Sequence, residues 1–323
     1  MKLFRNSILS MCVLIGAQVS CHAETVMKVT LLGTASATTI NGERFGMSTL
    51  VEVNHQRLLF DAGRGSLIRL HEKNVPLAKL SGIFITHLHS DHIAGLPDIY
   101  ATAPLPMTKG LGRTAPLQLW GPAGIEQVAD GIETMFGPNN KIRLMDREIT
   151  PESTHIMVHD VTQDGVVYQQ DGVKVTAFLV DHGNAKPAYG YRVDYQSHSV
   201  VISGDTRYTP NLVSHAQHVD LLVHCVAIGS AQLVQAAPEQ MAHFYNYLAS
   251  PEGVDRVFNE TKPTLGVLSH ISFFSHADIP PVSEQGLKDA VQQGYTGPFL
   301  IGHDLETYDI TDDGKVEKEN TAA

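Results

Sequence analysis

Two β-sheets packed face to face with helices on both outer sides, a four-layer αββα sandwich of the α/β class, is the fold this sequence predicts. Three observations carry that expectation. Short apolar runs come in two batches along the chain, each followed by mixed helical and strand segments. The chain has 323 residues, 43% of them hydrophobic and 18% charged, enough apolar content for a large core. No repeat, low-complexity tract or linker divides it, so residues 24–323 read as one domain.

The elements follow in order. Val26–Leu32, Ser48–Val53 and Arg57–Phe60 alternate with turn residues and read as an early β-meander. Gly65–Lys73 reads as a helix and Gly82–Thr86 as a buried strand. Gly95–Pro116 is rich in Pro and Gly and reads as an irregular loop. Leu117–Trp120 is a strand and Gly124–Met135 a helix. Val166–Gln170, Val173–Val180, Tyr189–Asp194 and Ser199–Ser203 form the second batch of strands. Val219–His224 and Thr264–Ser269 add two more, with a helical stretch Ala231–Leu248 between them. Gly286–Gln293 is a last helix and Pro298–Ile301 a last strand.

The start of the chain predicts export. Lys2 and Arg5 precede an apolar run from Ile8 to Ala17, and small residues lead to a cleavage position after Ala23. Residues 1–23 therefore read as a signal peptide, too short in its apolar run to remain as a spanning helix, and the mature chain is expected in the periplasm with no membrane contact. A rival reading makes Cys21 a lipidated terminus, but Gln18 stands where such signals carry Leu. Cleavage would leave Cys225 as the one cysteine, which cannot form an internal disulfide. Net charge is −11, without the basic footprint that phosphate-rich partners require, so no nucleic-acid partner is expected. The oligomeric state is not encoded in any pattern we recognise.

Seventeen histidines are many for this length, and some cluster. Thr86-His87-Leu88-His89-Ser90-Asp91-His92 places four metal-ligand side chains just after the predicted strand Gly82–Thr86. His87 and His89, two apart, point the same way in an extended segment. Asp91 is placed as the cap of a helix starting near Ile93, so a strand-to-helix bend would aim all four groups at one point.

This motif resembles the H-x-H-x-D-H hallmark of the metallo-β-lactamase superfamily. Leu31-Leu32-Gly33-Thr34 and Phe60-Asp61-Ala62-Gly63 resemble strand signatures of the same superfamily. Asp181-His182-Gly183 with Tyr189-Gly190-Tyr191-Arg192, Ser203-Gly204-Asp205-Thr206-Arg207 and Leu268-Ser269-His270-Ile271 resemble the later motifs of its ribonuclease Z-like branch, which includes phosphodiesterases and exported arylsulfatases. The resemblance implies two metal ions, zinc in the first place with manganese or iron open. It assigns His87, His89 and His182 to one ion, Asp91, His92 and His270 to the other, and Asp205 to both. Diiron relatives carry Glu in place of this His89, and the lactamases proper carry Cys in place of this Asp205. Two such ions would activate a water and clamp the oxygens of a tetrahedral ester, with Asp91 as the catalytic proton acceptor.

Where relatives carry a histidine that protonates the leaving group, this chain has Leu248, with Tyr247 adjacent and His243 a helical turn earlier. His243, His303 and Arg207 are the further candidates for proton donation or substrate contact. His155, His159, His198, His215, His218 and His276 read as surface or packing residues. His224 reads as either a packing residue or a support to a ligand. Three functions compete: an exported arylsulfatase-like enzyme on a small-molecule ester, a phosphodiesterase or ribonuclease Z-like hydrolase, and a non-catalytic metal-binding protein. Ribonuclease Z holds tRNA with an arm between the positions matching His182 and Asp205; these are 23 positions apart here, leaving no room for it. The first function is therefore the expected one.

Overall fold

The computed structural model describes residues 23–40, 42–106, 112–276 and 278–319; the predicted signal segment lies outside them except for Ala23. The first sheet contains β1 (Thr25–Gly33), β2 (Ser48–Val53), β3 (Gln56–Phe60), β4 (Gly82–Phe84), β5 (Leu117–Gly121) and β6 (Ile156–Asp160). Two late strands, β14 (Thr307–Thr311) and β15 (Val316–Lys318), return to it beside β1, giving the order β15-β14-β1-β2-β3-β4-β5-β6. The second sheet holds β7 (Gly165–Gln170), β8 (Val173–Leu179), β9 (Tyr189–Tyr195), β10 (His198–Ile202), β11 (Leu221–Gly229), β12 (Leu265–Phe274) and β13 (Phe299–Ile301), in the order β13-β12-β11-β10-β9-β8-β7.

Strand alternation explains the layering. In β3, Leu58 and Phe60 face the second sheet, while Leu59 between them faces the helices. The same split runs through β10, where Val200 and Ile202 point inward and Val201 outward. Three hydrophobic clusters result. One lies between the sheets, around Phe60, Phe84, Tyr191 and Leu221. One lies under α1 (Ser66–Glu72), α3 (Leu96–Thr102) and α4 (Ile125–Met145). One lies under α5 (Pro210–His215), α8 (Pro251–Thr261) and α9 (Glu284–Gln292). Because strands of both sheets are buried on both faces, their sequences read as near-continuous apolar runs. The chain thus has the predicted αββα sandwich.

Several boundaries differ from expectation. Gly95–Pro116 is not wholly loop: Leu96, Ile99 and Tyr100 bury one helical face, and Pro97 sits in the first turn, where its missing N–H costs nothing. Helix α4 runs ten residues past Met135, through Pro138. The stretch 231–248 breaks at Ala237 into α6 (Ala231–Ala236) and α7 (Pro238–Tyr245), since Pro238 starts a new helix. A four-residue helix, α2 (Ser90–Ile93), carries Asp91 inside its first turn with His89 at the cap position, so Asp91 is not the cap.

His224, on β11, is a packing residue. Its ring meets Phe258 edge-on, and its Nδ1–H donates to its neighbour's carbonyl, Cys225 O, at 2.6 Å. Nε2 is buried without a partner. Burial pushes the imidazole pKa down to about 4. Below pH 6.5 the unfolded chain binds a proton here that the native chain refuses, so this contribution is fully present above pH 6.5 and is lost as pH falls toward 4, by roughly 3 kcal/mol. Denaturant unfolding of wild type and His224→Leu should therefore show the variant gaining stability relative to wild type as pH drops from 7 to 4. A difference that stays constant over that range would contradict this account.

Candidate metal centre

The seven predicted ligands converge at one end of the two sheets. His87 and His89 follow β4, Asp91 and His92 lie on α2, His182 follows β8, Asp205 follows β10, and His270 lies within β12. Local backbone features aim them. β11 and β12 are in register at Cys225–Ser269 and again at Val226–Ile271, so His270 is the extra residue of a bulge and takes a left-handed φ of 46°. Gly204 precedes Asp205 with φ 60°, and a Cβ there would lie 2.8 Å from Tyr189 O. Gly183, after His182, has φ 61° and lies so close to Tyr247 that a Cβ would come within 2.8 Å of the tyrosine Cβ.

Three groups of side chains place ligand atoms within 4.8 Å of one another: His87, His89 and His182; Asp91, His92 and His270; and His87, His92 and Asp205. His89 Nδ1 lies 2.9 Å from His87 Nε2 and 3.2 Å from His182 Nε2. Asp91 Oδ2 is 3.0 Å from His270 Nε2 and 3.5 Å from His92 Nε2. Asp205 faces both groups. Its Oδ2 lies 3.6 Å from His182 Nε2 and 4.0 Å from His87 Nε2, while its Oδ1 lies 3.2 Å from His270 Nδ1 and 3.6 Å from His92 Nε2.

These atoms fit metal ions. His92 Nε2, Asp205 Oδ1 and His270 Nδ1 are buried with no hydrogen-bond partner, a costly arrangement for three converging polar atoms unless a cation takes their lone pairs. Tetrahedral coordination with bonds near 2.0–2.1 Å has edges of about 3.3 Å, close to the separations seen. Outer contacts fix the ring orientations. His92 Nδ1–H donates to Asp61 Oδ2 at 2.8 Å, and His182 Nδ1–H to Tyr247 O at 2.8 Å. Thr86 Oγ1 accepts from His87 Nδ1 at 3.0 Å and passes its own proton to Asp61 Oδ2 at 2.9 Å. Each bond leaves the opposite nitrogen, Nε2, as a free lone pair. Burial and the adjacent His92 hold the His87 imidazole well below its ordinary pKa, so it stands neutral. Burial raises the Asp205 carboxyl, but His270 and His92 outweigh it and keep the group ionised.

Asp61 was read from sequence only as part of a strand motif. It is fully buried, with a left-handed φ of 58°, and its carboxylate also accepts from Thr86 N at 2.8 Å. Cys225 stands directly behind Asp205: its Sγ accepts from Thr206 N and donates to Thr206 O, both at 3.3 Å. Burial pushes its thiol up to about 12, so it is inert packing.

The further candidates separate. Leu248 is buried in the cleft wall, and His243 is exposed on α7 with its ring against Tyr247. Arg207 is committed to Asp181, with Nε at 2.8 Å and Nη2 at 2.6 Å from Oδ2. His303 is committed to Glu284 and Glu306 and does not line the cleft, correcting its reading as a pocket residue. The cleft has a volume of about 230 Å³, with Asp91, His182, Asp205 and His270 at its floor.

Residues 56–271 match the family model described as "Beta-lactamase superfamily domain". A ribonuclease Z of Mycobacterium bovis is 30% identical over 285 residues, covering 88% of this chain and 99% of that protein. A ribonuclease Z of Mycobacterium marinum is 38% identical over 62% of this chain and 71% of its own. Among solved structures, the metallo-β-lactamase fold protein YhfI of Bacillus subtilis superposes with TM-score 0.67 at 18% identity, over 88% of this chain and 99% of that one. The short form of human tRNase Z gives 0.63 at 20% identity, over 87% and 98%. These matches overturn the expectation of a small-molecule substrate and no nucleic-acid partner, since the relatives matched over nearly their whole length are named for action on RNA. The error was physical: net charge sums the whole surface, whereas a scissile phosphate meets one cleft.

Proposed function

Because this chain belongs to the β-lactamase superfamily and to its ribonuclease Z branch, we propose that this metal-dependent hydrolase cleaves phosphodiester bonds of RNA, using two zinc ions. The observation that carries the reading is Asp205, whose two oxygens face two separate groups of three ligands. Bound divalent cations would activate the attacking water and neutralise charge on the phosphate oxygens.

The protein's own groups do the rest. His87, His89 and His182 would hold one ion, and Asp91, His92 and His270 the other. Asp91 Oδ1 has no hydrogen-bond partner among the described residues, and Asp91 lines the cleft, so this oxygen is free to take the proton of the attacking water. Leu248 offers no proton to the leaving oxygen, which would instead recover the proton that Asp91 has taken from the attacking water, directly or through water in the open cleft. The segment between His182 and Asp205 consists of β9, β10 and their turns, with no arm, so RNA would be held by the cleft and its rim. The match to ribonuclease Z favours the phosphodiester over the aryl sulfate expected from sequence.

The test is a panel on the purified zinc-loaded protein: an RNA oligonucleotide with a 3′ extension, bis(4-nitrophenyl) phosphate and 4-nitrophenyl sulfate. The two phosphodiesters should be cleaved and the sulfate left intact. Faster cleavage of the sulfate, or RNA left whole while the aryl phosphodiester is cut, would overturn the proposal.

A further inference from the structure

One wall of the metal cleft is aromatic. Phe274 ends β12, four residues past His270, and stacks on Phe244 of α7 with centroids 4.3 Å apart and planes 15° from parallel. Phe244 meets Tyr247 edge-on at 6.1 Å, and Tyr247 in turn meets the ring of His182 at 5.4 Å. An unbroken row of rings therefore runs outward from a predicted ligand. All three aromatic side chains are only half-buried, all line the cleft, and none belongs to the three hydrophobic clusters that hold the sheets and helices together. Ser36, Ala37 and Thr38, all small, also line the cleft, and Arg64 donates to Ala37 O at 3.0 Å.

We propose that Phe244, Phe274 and Tyr247 form a stacking platform for a nucleobase next to the scissile phosphodiester. The inference rests on the phosphodiesterase reading. A floor of carboxylates and imidazoles joined to an apolar, planar wall matches a ligand whose phosphate is followed by a flat ring, and single-stranded nucleic acid is held by stacking on aromatic side chains in this way. The occupant is fixed by continuity: whatever sits on Phe244 adjoins a group seated against His182. The wall is sequence-tolerant, because every base has a π-face, so it selects nucleoside esters over alkyl esters without selecting among bases.

The experiment compares adenosine 5′-(4-nitrophenyl phosphate) with methyl 4-nitrophenyl phosphate, two diesters with the same leaving group. Wild type should prefer the nucleoside ester in kcat/KM by roughly 5- to 150-fold, the range that stacking one base gives, and mainly through KM. Phe244→Leu and Phe274→Leu should each move that ratio toward one, while Phe274→Trp, which keeps a plane, should retain it. Equal ratios in wild type and both leucine variants would show that the rings only pack α7 onto β12 and would overturn the proposal. Binding of adenosine 5′-monophosphate and of methyl phosphate to the zinc-loaded proteins is measured by calorimetry in parallel. If wild type hydrolyses neither ester, the phosphodiesterase reading fails. The wall is then judged by affinity alone: it stands if the leucine variants lose the preference for the nucleotide and falls if they keep it.

Discussion

Replacing Asp91 by asparagine is expected to lower kcat by roughly 10²- to 10⁴-fold, the range for removal of a positioned general base. The side chain is nearly fully buried, with Oδ2 facing His270 and His92, and the residue lines the cleft. Asparagine keeps the shape and one oxygen for the ligand position, but it cannot take a proton. The fall should therefore appear in kcat with KM for bis(4-nitrophenyl) phosphate little changed. Metal content measured on the same sample separates the two roles of the residue. Near-normal turnover with a full metal complement would remove Asp91 from proton transfer. Loss of metal in proportion to activity would assign it to ligation alone.

The parts of this site that were legible in sequence are those where chemistry demands rare residue types at short spacing. His87, His89, Asp91 and His92 fall within six positions because a strand end and the next helical turn present them together. The layers were legible as well, since strands buried on both faces leave apolar runs such as Leu58-Leu59-Phe60 that no exposed element would carry. What escaped depends on backbone geometry or on contacts distant in sequence. Pro97 was read as part of a loop and Pro238 was passed over inside one helical stretch, yet each occupies a first turn, where proline is tolerated. Strands β6, β14 and β15 were not anticipated at all; β14 is defined by its pairing with β1, some 280 positions earlier. Tyr247 orients His182 through a main-chain carbonyl, a group every residue possesses, so its side-chain type gave no sign of the role.

Asp61 belongs to the same category, and its substitution is the most informative about how the centre is assembled. Asp61→Asn should weaken metal binding by roughly 10- to 100-fold, the usual cost of removing a partner that orients a ligating histidine. The carboxylate now accepts from three donors at once: Thr86 N, Thr86 Oγ1 and His92 Nδ1. An amide presents one oxygen and an NH₂ group, so at least one of these donors meets another donor. If His92 Nδ1 is the one that loses its acceptor, the ring shifts to the tautomer with hydrogen on Nε2, the nitrogen that faces Asp91 and Asp205. If instead Thr86 loses it, the orientation of His87 is relaxed through Oγ1. Either way the damage reaches ligands without touching the cleft, which Asp61 does not line. Competition with a zinc chelator reads the affinity, and nitrogen chemical shifts of His92 read the tautomer. The expected pattern is weaker zinc, an altered His92 signal and activity partly restored by added zinc. Unchanged affinity with an unchanged His92 tautomer would show that packing alone orients the ring.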